Sequence, residues 1–297
     1  MDVNSPDFYI EKSDESIADT EAFIHYALSK KTDLLTPVIT PRYYSSILHS
    51  HVELMSLSSF NSFRFAPTCT STLMQRLGAL AREHDLPIQS HISENKDEIA
   101  WVASLFPEQS SYAEVYAAHG LLNAKTIMAH GVWLTDAEVA LLNKHGAGVS
   151  HCPLSNICLA SGHMPLRELL AKGVKIGLGT DVSGGYSPSM LHAMRDAITV
   201  STTVYVERNQ DAKPLNHSEA FYLATLGGAK LIGIDHTIGN FVAGKDFDAL
   251  VIHPRAKGSN FDVFDFDDLA GEFEKFCYLG DDRNIEQVFV KGRKIEL

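Results

Sequence analysis

The stretch "TIMAHGVWLTDAEVALLNKHGAGVSHC", residues 126–152, reads as strand, helix, strand. Residues 126–130 form a short apolar run that ends on His130, and residues 148–152 repeat the design and place His151 near their end. Between them "TDAEVALLNKHG" has apolar residues at helical spacing. Thr135 or Asp136 can cap its start, and Gly146 is a normal C-terminal stop. Such a unit is the element from which parallel sheets are wound.

The same alternation extends in both directions. Strands are predicted at residues 35–40 (LTPVIT), 87–91 (PIQSH) and 175–181 (KIGLGTD), with helical patterns at 94–106 (ENKDEIAWVASLF) and 164–173 (MPLRELLAKG). At or just past the carboxyl end of each strand stands a residue able to do chemistry: Arg42, His91, Glu94, His130, His151 and Asp181. Parallel β/α barrels build their active sites on that rim. An open doubly wound sheet also collects ligands there, but no G-x-G-x-x-G follows the first strand, which removes the main reason to prefer a dinucleotide-binding sheet.

After about residue 217 the pattern changes. A helix (218–233) leads into "IGNFVAGKDFDALVIH" (238–253), and the chain ends in "DRNIEQVFVKGRKIEL" (282–297), the pattern of a small antiparallel sheet. The expected division is therefore 1–235 as β/α barrel and 236–297 as the segment of a small β domain.

Composition narrows the function classes. Twenty-five lysines and arginines stand against 37 acidic residues in 297, a formal charge of −12, which repels a phosphate backbone and argues against nucleic acid as partner. No run approaches the length of a membrane-spanning helix, so no membrane partner is expected. Cys69, Cys152, Cys158 and Cys277 are scattered without a Cys-x-x-Cys pair, as suits reduced thiols and a cytosolic location.

Taken together, "QSHISEN" (89–95), "MAHG" (128–131), "SHCPLSN" (150–156) and "GLGTDVSGGYS" (177–187) resemble the strand 5, 6, 7 and 8 motifs of the amidohydrolase superfamily. With "VITPR", "FAPTC", "ATLGGAK" and "YLGDDRNIEQVFV" in the same order, the chain resembles the guanine deaminase family over nearly all its length. The resemblance implies a (β/α)8 barrel with one Zn2+ per subunit, a homodimer, and hydrolysis of guanine to xanthine and ammonia. It implies His91 and Asp181 as metal ligands. Glu94 becomes the group that protonates a ring nitrogen, Asp181 the acceptor of the water proton, and His130 the partner of the forming oxyanion. His91, Glu94 and Asp181 would also face the substrate. The position held in binuclear relatives by a carboxylated lysine is arginine here, so one metal is expected. Either Arg42, which keeps the strand context, or Arg64, which precedes the aromatic Phe65, would recognise the purine. His151 and His119 read as structural histidines, Ser155 and Asn156 as residues that fix a loop, and Gly184-Gly185 as a tight turn over the site.

Two features depart from the family. Its zinc site includes an H-x-H at the end of barrel strand 1, and counting strands backward leaves strands 1–3 without a counterpart, so only strands 4–8 are expected. His49-Ser50-His51 has the spacing but the wrong place in the strand order. It lies in residues 43–64, of which seven are serine and none is glycine or proline, and whose removal joins "VITPR" to "FAPTC". The expectation is an inserted segment in an incomplete chain, with the family activity in the full-length protein and little or none in these 297 residues. The rival readings are a deaminase of another heterocycle and a noncatalytic remnant that pairs with a partner. A cytidine-deaminase type is disfavoured, because His51-Val52-Glu53 is followed by no P-C-x-x-C.

Overall fold

A computed structural model describes residues 1–41, 66–208 and 213–296. Helices α1 (Ser13–Ser29) and α2 (Ser71–Glu83) precede β1 (Ile88–Ile92), α3 (Lys96–Leu105) and α4 (Tyr112–Ala118). Then come β2 (Thr126–His130), α5 (Asp136–His145), β3 (Gly148–His151), α6 (Pro153–Cys158), α7 (Leu166–Ala171) and β4 (Lys175–Leu178). The long α8 (Met190–Arg208) leads to α9 (His217–Tyr222) and α10 (Gly228–Ile232), joined by a π turn at Leu223–Gly227. Strand β5 (Ala249–Ile252), α11 (Leu269–Leu279), β6 (Ile285–Val290) and β7 (Arg293–Ile295) complete the order.

Strands β1 to β4 pair in parallel in the order β1-β2-β3-β4. Each strand lies beside the next one in sequence, with no reversal of order. A doubly wound sheet has such a reversal, whereas the wall of a β/α barrel does not. Ile88, Ile92, Met128, Val149 and Ile176 are buried along this arc, in one core with Leu142 and Tyr116 from the helices that cover it and Leu121 from the connection after α4. Thr135 and Glu138 form a reciprocal capping box at the start of α5, and Gly146 closes that helix in the left-handed conformation, as its sequence predicts.

The expected strand at 35–40 is corrected to a single bridge. Ile39 pairs in parallel with Ile88, its N–H donating to the Pro87 carbonyl at 2.9 Å and its carbonyl accepting from Gln89 at 2.9 Å. Pro37 and Pro41 on either side have no N–H to extend the ladder. The strand expected at 175–181 ends at Leu178, because Asp181 turns into the left-handed region with φ 44°. The parallel arc is thus four strands and one bridge, an incomplete barrel among the described residues.

The antiparallel sheet forms in the order β5-β6-β7. Lys291 and Gly292, both at positive φ (54° and 76°), make the two-residue turn between β6 and β7 whose twist suits a hairpin. Phe247 packs between Phe241 and Phe289 with ring centroids 5.7 and 5.4 Å away.

Candidate active site

The rim of the parallel arc brings together the residues that the sequence places at its strand ends. His91 is the fourth residue of β1, Glu94 lies just beyond β1, His130 ends β2, His151 ends β3, and Asp181 follows β4. Each of the five sits near the carboxyl end of a parallel strand, so the sheet twist aims them at one space. His91 and His130 stack with ring centroids 5.3 Å apart. Nε2 of His130 lies 3.6 Å from Oε2 of Glu94 and 3.8 Å from Oδ2 of Asp181. An imidazole therefore stands between two carboxylates, all three nearly removed from solvent.

The backbone is bent to achieve this. Ser93, His130 and Asp181 all hold positive φ (48°, 74° and 44°) without being glycine. Such conformations persist where surrounding contacts over-determine them, and they gather at functional sites. Here those contacts are visible. His130 Nδ1 is 2.8 Å from Oδ1 of Asn156, which in this orientation makes Nδ1 a hydrogen donor and turns Nε2 toward the carboxylates. Ser155 donates to Oδ2 of Asp181 at 2.7 Å, and Ser161 donates to Oε1 of Glu94 at 3.0 Å. The amides of Gly184 and Gly185 donate to the Asp181 carbonyl at 2.7 and 3.0 Å. A Cβ on Gly184 would lie 2.5 Å from Ser155 Oγ and 2.7 Å from Asp181 Oδ2, so this glycine is required for space.

The flanking groups exclude other chemistries. His151 is fully buried, neither ring nitrogen has a hydrogen-bond partner among the described residues, and burial together with the neighbouring His130 pushes its pKa down to about 3. It is a buried neutral imidazole that, among the described residues, lacks the hydrogen bonds of a satisfied structural histidine. His119 is structural too, with Nδ1 2.6 Å from the Val115 carbonyl at the end of α4. Burial and the Asp181 charge push the Cys152 thiol up to about 12, which removes it as a nucleophile.

Arg42, Arg64, Phe65, His49, His51 and the whole of 43–64 lie outside the described residues. Sequence reasoning passed over Ser161, which belongs to no recognised motif, and Glu98, whose signal was legible in Asn95-x-x-Glu98 as a capping box. It read Ser155 and Asn156 as residues that fix a loop; both lie in α6, where they hold Asp181 and His130.

His91 and Asp181 are donors of the type zinc takes. Among the described residues, however, no group of three or more His, Cys, Asp or Glu side chains stands ready to hold a metal ion. The described donor set is therefore incomplete.

The sequence profile of the Amidohydrolase family matches residues 61–295. A guanine deaminase of Dictyostelium discoideum is 46% identical over 296 residues, which is 100% of this chain and 61% of that protein. A crystal structure of guanine deaminase from C. acetobutylicum with guanine bound in its active site superposes with a TM-score of 0.85 at 37% identity, covering 100% of this chain and 64% of that one. An adenosine deaminase from Xanthomonas campestris with bound zinc superposes with a TM-score of 0.65 at 27% identity, over 76% of this chain and 49% of its own. The chain spans about three-fifths of the length of the guanine deaminases it matches.

Proposed function

The chain belongs to the amidohydrolase family, and from that premise we propose that its rim serves the hydrolytic deamination of guanine to xanthine and ammonia. The observation that carries this reading is the placement of His130 Nε2 between Glu94 Oε2 at 3.6 Å and Asp181 Oδ2 at 3.8 Å, at the carboxyl ends of β2, β1 and β4 of one arc.

In this reaction a water oxygen bonds to the ring carbon that bears the exocyclic amine, and the bond to that amine breaks. Asp181 takes the proton of the attacking water. Glu94 protonates the adjacent ring nitrogen as the oxygen adds, takes the second proton of that water as the oxygen becomes a carbonyl, and delivers it to the departing amine, which leaves as ammonia; the proton held by Asp181 then returns to Glu94. His130 hydrogen-bonds the oxygen as negative charge develops on it. His91, Glu94 and Asp181 face the base. Arg42 or Arg64, with Phe65, is the proposed recognition pair for the purine carbonyl and ring.

Zinc is the proposed cofactor, one per site, with His91 and Asp181 as ligands from this chain. The zinc named for the Xanthomonas campestris relative supports the metal, and among the described residues His91 and Asp181 are the proposed part of its donor set. A homodimer and a cytosolic location complete the proposal. The same incomplete donor set favours a second reading, a body that carries these residues without turning over guanine on its own. The test is ammonia release from a panel of purines, pyrimidines and s-triazines with zinc supplied. Guanine as the preferred substrate supports the proposal, release from another heterocycle overturns the substrate, and release from none favours the second reading.

A further inference from the structure

Glu94 is held from two directions by residues outside the site's motifs. Its Oε1 accepts from the Ser161 hydroxyl at 3.0 Å, and both residues are buried. Ser161 is itself tied down, its carbonyl accepting from the Trp133 indole at 2.8 Å while the Trp133 amide donates to the Ser93 carbonyl at 3.1 Å. From the other side, Oε2 of Glu98 accepts the backbone N–H of Glu94 at 2.9 Å and that of Asn95 at 3.2 Å. Glu98 is fully buried, with the Tyr112 hydroxyl beside its carboxyl. Tyr112 stacks on Tyr116, whose hydroxyl donates to the His91 carbonyl at 2.7 Å.

We propose that Ser161 and Glu98 are the positioning residues of Glu94, Ser161 engaging Oε1 so that Oε2 is the proton-carrying oxygen, and Glu98 fixing the main chain on which that oxygen is aimed. The assignment rests on the deamination reading for the word "proton-carrying", and on geometry alone for the rest. It follows from lone-pair use. A carboxylate oxygen that receives a buried hydroxyl is poorly placed to carry a mobile proton, and the remaining oxygen is the one 3.6 Å from His130 Nε2. A side chain locked by supporting hydrogen bonds loses little freedom in the reaction.

The test compares Ser161→Ala with Ser161→Thr, and Glu98→Ala with Glu98→Gln, in the zinc-supplemented chain. Ser161→Ala is expected to lower kcat for guanine about ten-fold with KM little changed, and to shift the Glu94 side-chain carboxyl 13C resonance. Ser161→Thr restores both, because it keeps the hydroxyl. Glu98→Ala is expected to speed amide hydrogen exchange at Glu94 and Asn95 while β2 and β3 stay protected. Glu98→Gln keeps an acceptor oxygen and the slow exchange. An unmoved Glu94 carboxyl resonance in Ser161→Ala, or unchanged exchange in Glu98→Ala, overturns the proposal. If the unsubstituted chain does not convert guanine, the deamination reading fails and the resonance and exchange data decide the positioning claim by themselves. Where Glu98→Ala does not fold, Ser161→Ala, which removes one hydroxyl, decides it.

Discussion

The two sheets of this molecule differ in what surrounds them. Strands β1 to β4 expose none of their residues fully, with Ile88, Ile92, Met128 and Val149 excluded from solvent and the remainder buried or half-buried, and every proposed catalytic group stands on their rim. Strands β5 to β7 are half open, with Leu250 52% exposed and Val251 and Val290 each 37% exposed, and none of the proposed site residues comes from them. A parallel arc covered by helices leaves its side chains a single outlet at the strand ends, so polar groups there converge. An open antiparallel sheet spreads its polar groups over a wetted face. Convergence of function thus follows from the burial of the sheet.

The sharpest way to break this contrast is to neutralise one carboxylate in each sheet. Glu94→Gln is expected to lower guanine turnover on the order of 10²–10⁴-fold, the usual range for losing a general acid. Glu286→Gln on exposed β6 should leave turnover unchanged. Equal losses in a xanthine-formation assay would end the claim that chemistry is confined to the arc.

Packing supplies the second comparison. Met128→Ala removes a fully buried side chain from β2 and is expected to cost about 2–5 kcal/mol in denaturant unfolding. Leu250→Ala, half exposed on β5, should cost about 1 kcal/mol or less. Similar costs would mean that the antiparallel sheet is as deeply packed as the arc.

A third contrast separates two reasons for a glycine. Gly184 has ordinary φ but no room for a Cβ beside Ser155 and Asp181, so Gly184→Ala should depress turnover with little loss of stability. Gly292 has open space but φ 76°, so Gly292→Ala should destabilise by about 1 kcal/mol with turnover unaffected. Thermal melts and kcat measured on both variants would show whether the two effects separate in this way.

The last contrast is in pH dependence, where two buried groups oppose each other. Burial, and then the Glu94 charge, raises the Glu98 pKa from 4.5 to about 8. The folded chain therefore holds this proton more tightly than the unfolded chain. Stability from Glu98 is full below about 4.5 and is lost as pH rises through 8. His151 is depressed from 6.5 to about 3, so its contribution is present above 6.5 and lost as pH falls toward 3. Melting temperature should be highest between these limits, and Glu98→Gln should flatten the alkaline side only. A Glu98→Gln profile that parallels the parent above pH 6 would contradict the assignment.

Much of this was legible in the sequence because the parallel arc obeys local rules. The strand at Thr126–His130, the capped helix after it and the strand ends bearing His91 and His130 follow from periodicity and capping, while Asp181 stands three residues past the end of β4. The edge at Ile39 was misread, because an apolar β-branched run announces a strand even when Pro37 and Pro41 prevent a ladder. The supports of the site were harder to see. Ser161 reaches Glu94 across 67 positions of sequence, and Asn156 reaches His130 across 26, distances at which spacing carries no signal. The left-handed backbone at His130 and Asp181 was equally hidden, since neither residue type announces it. The expected recognition residues Arg42, Arg64 and Phe65 fall outside the described residues.

The central claim is that Glu94, His130 and Asp181 form one deaminating site. It is tested most directly by following xanthine formation from guanine by the zinc-supplemented chain beside its Glu94→Gln variant. Turnover of guanine in the parent and none above background in the variant is the expected result. Turnover that survives in Glu94→Gln, or a parent that deaminates another heterocycle in preference to guanine, would contradict it.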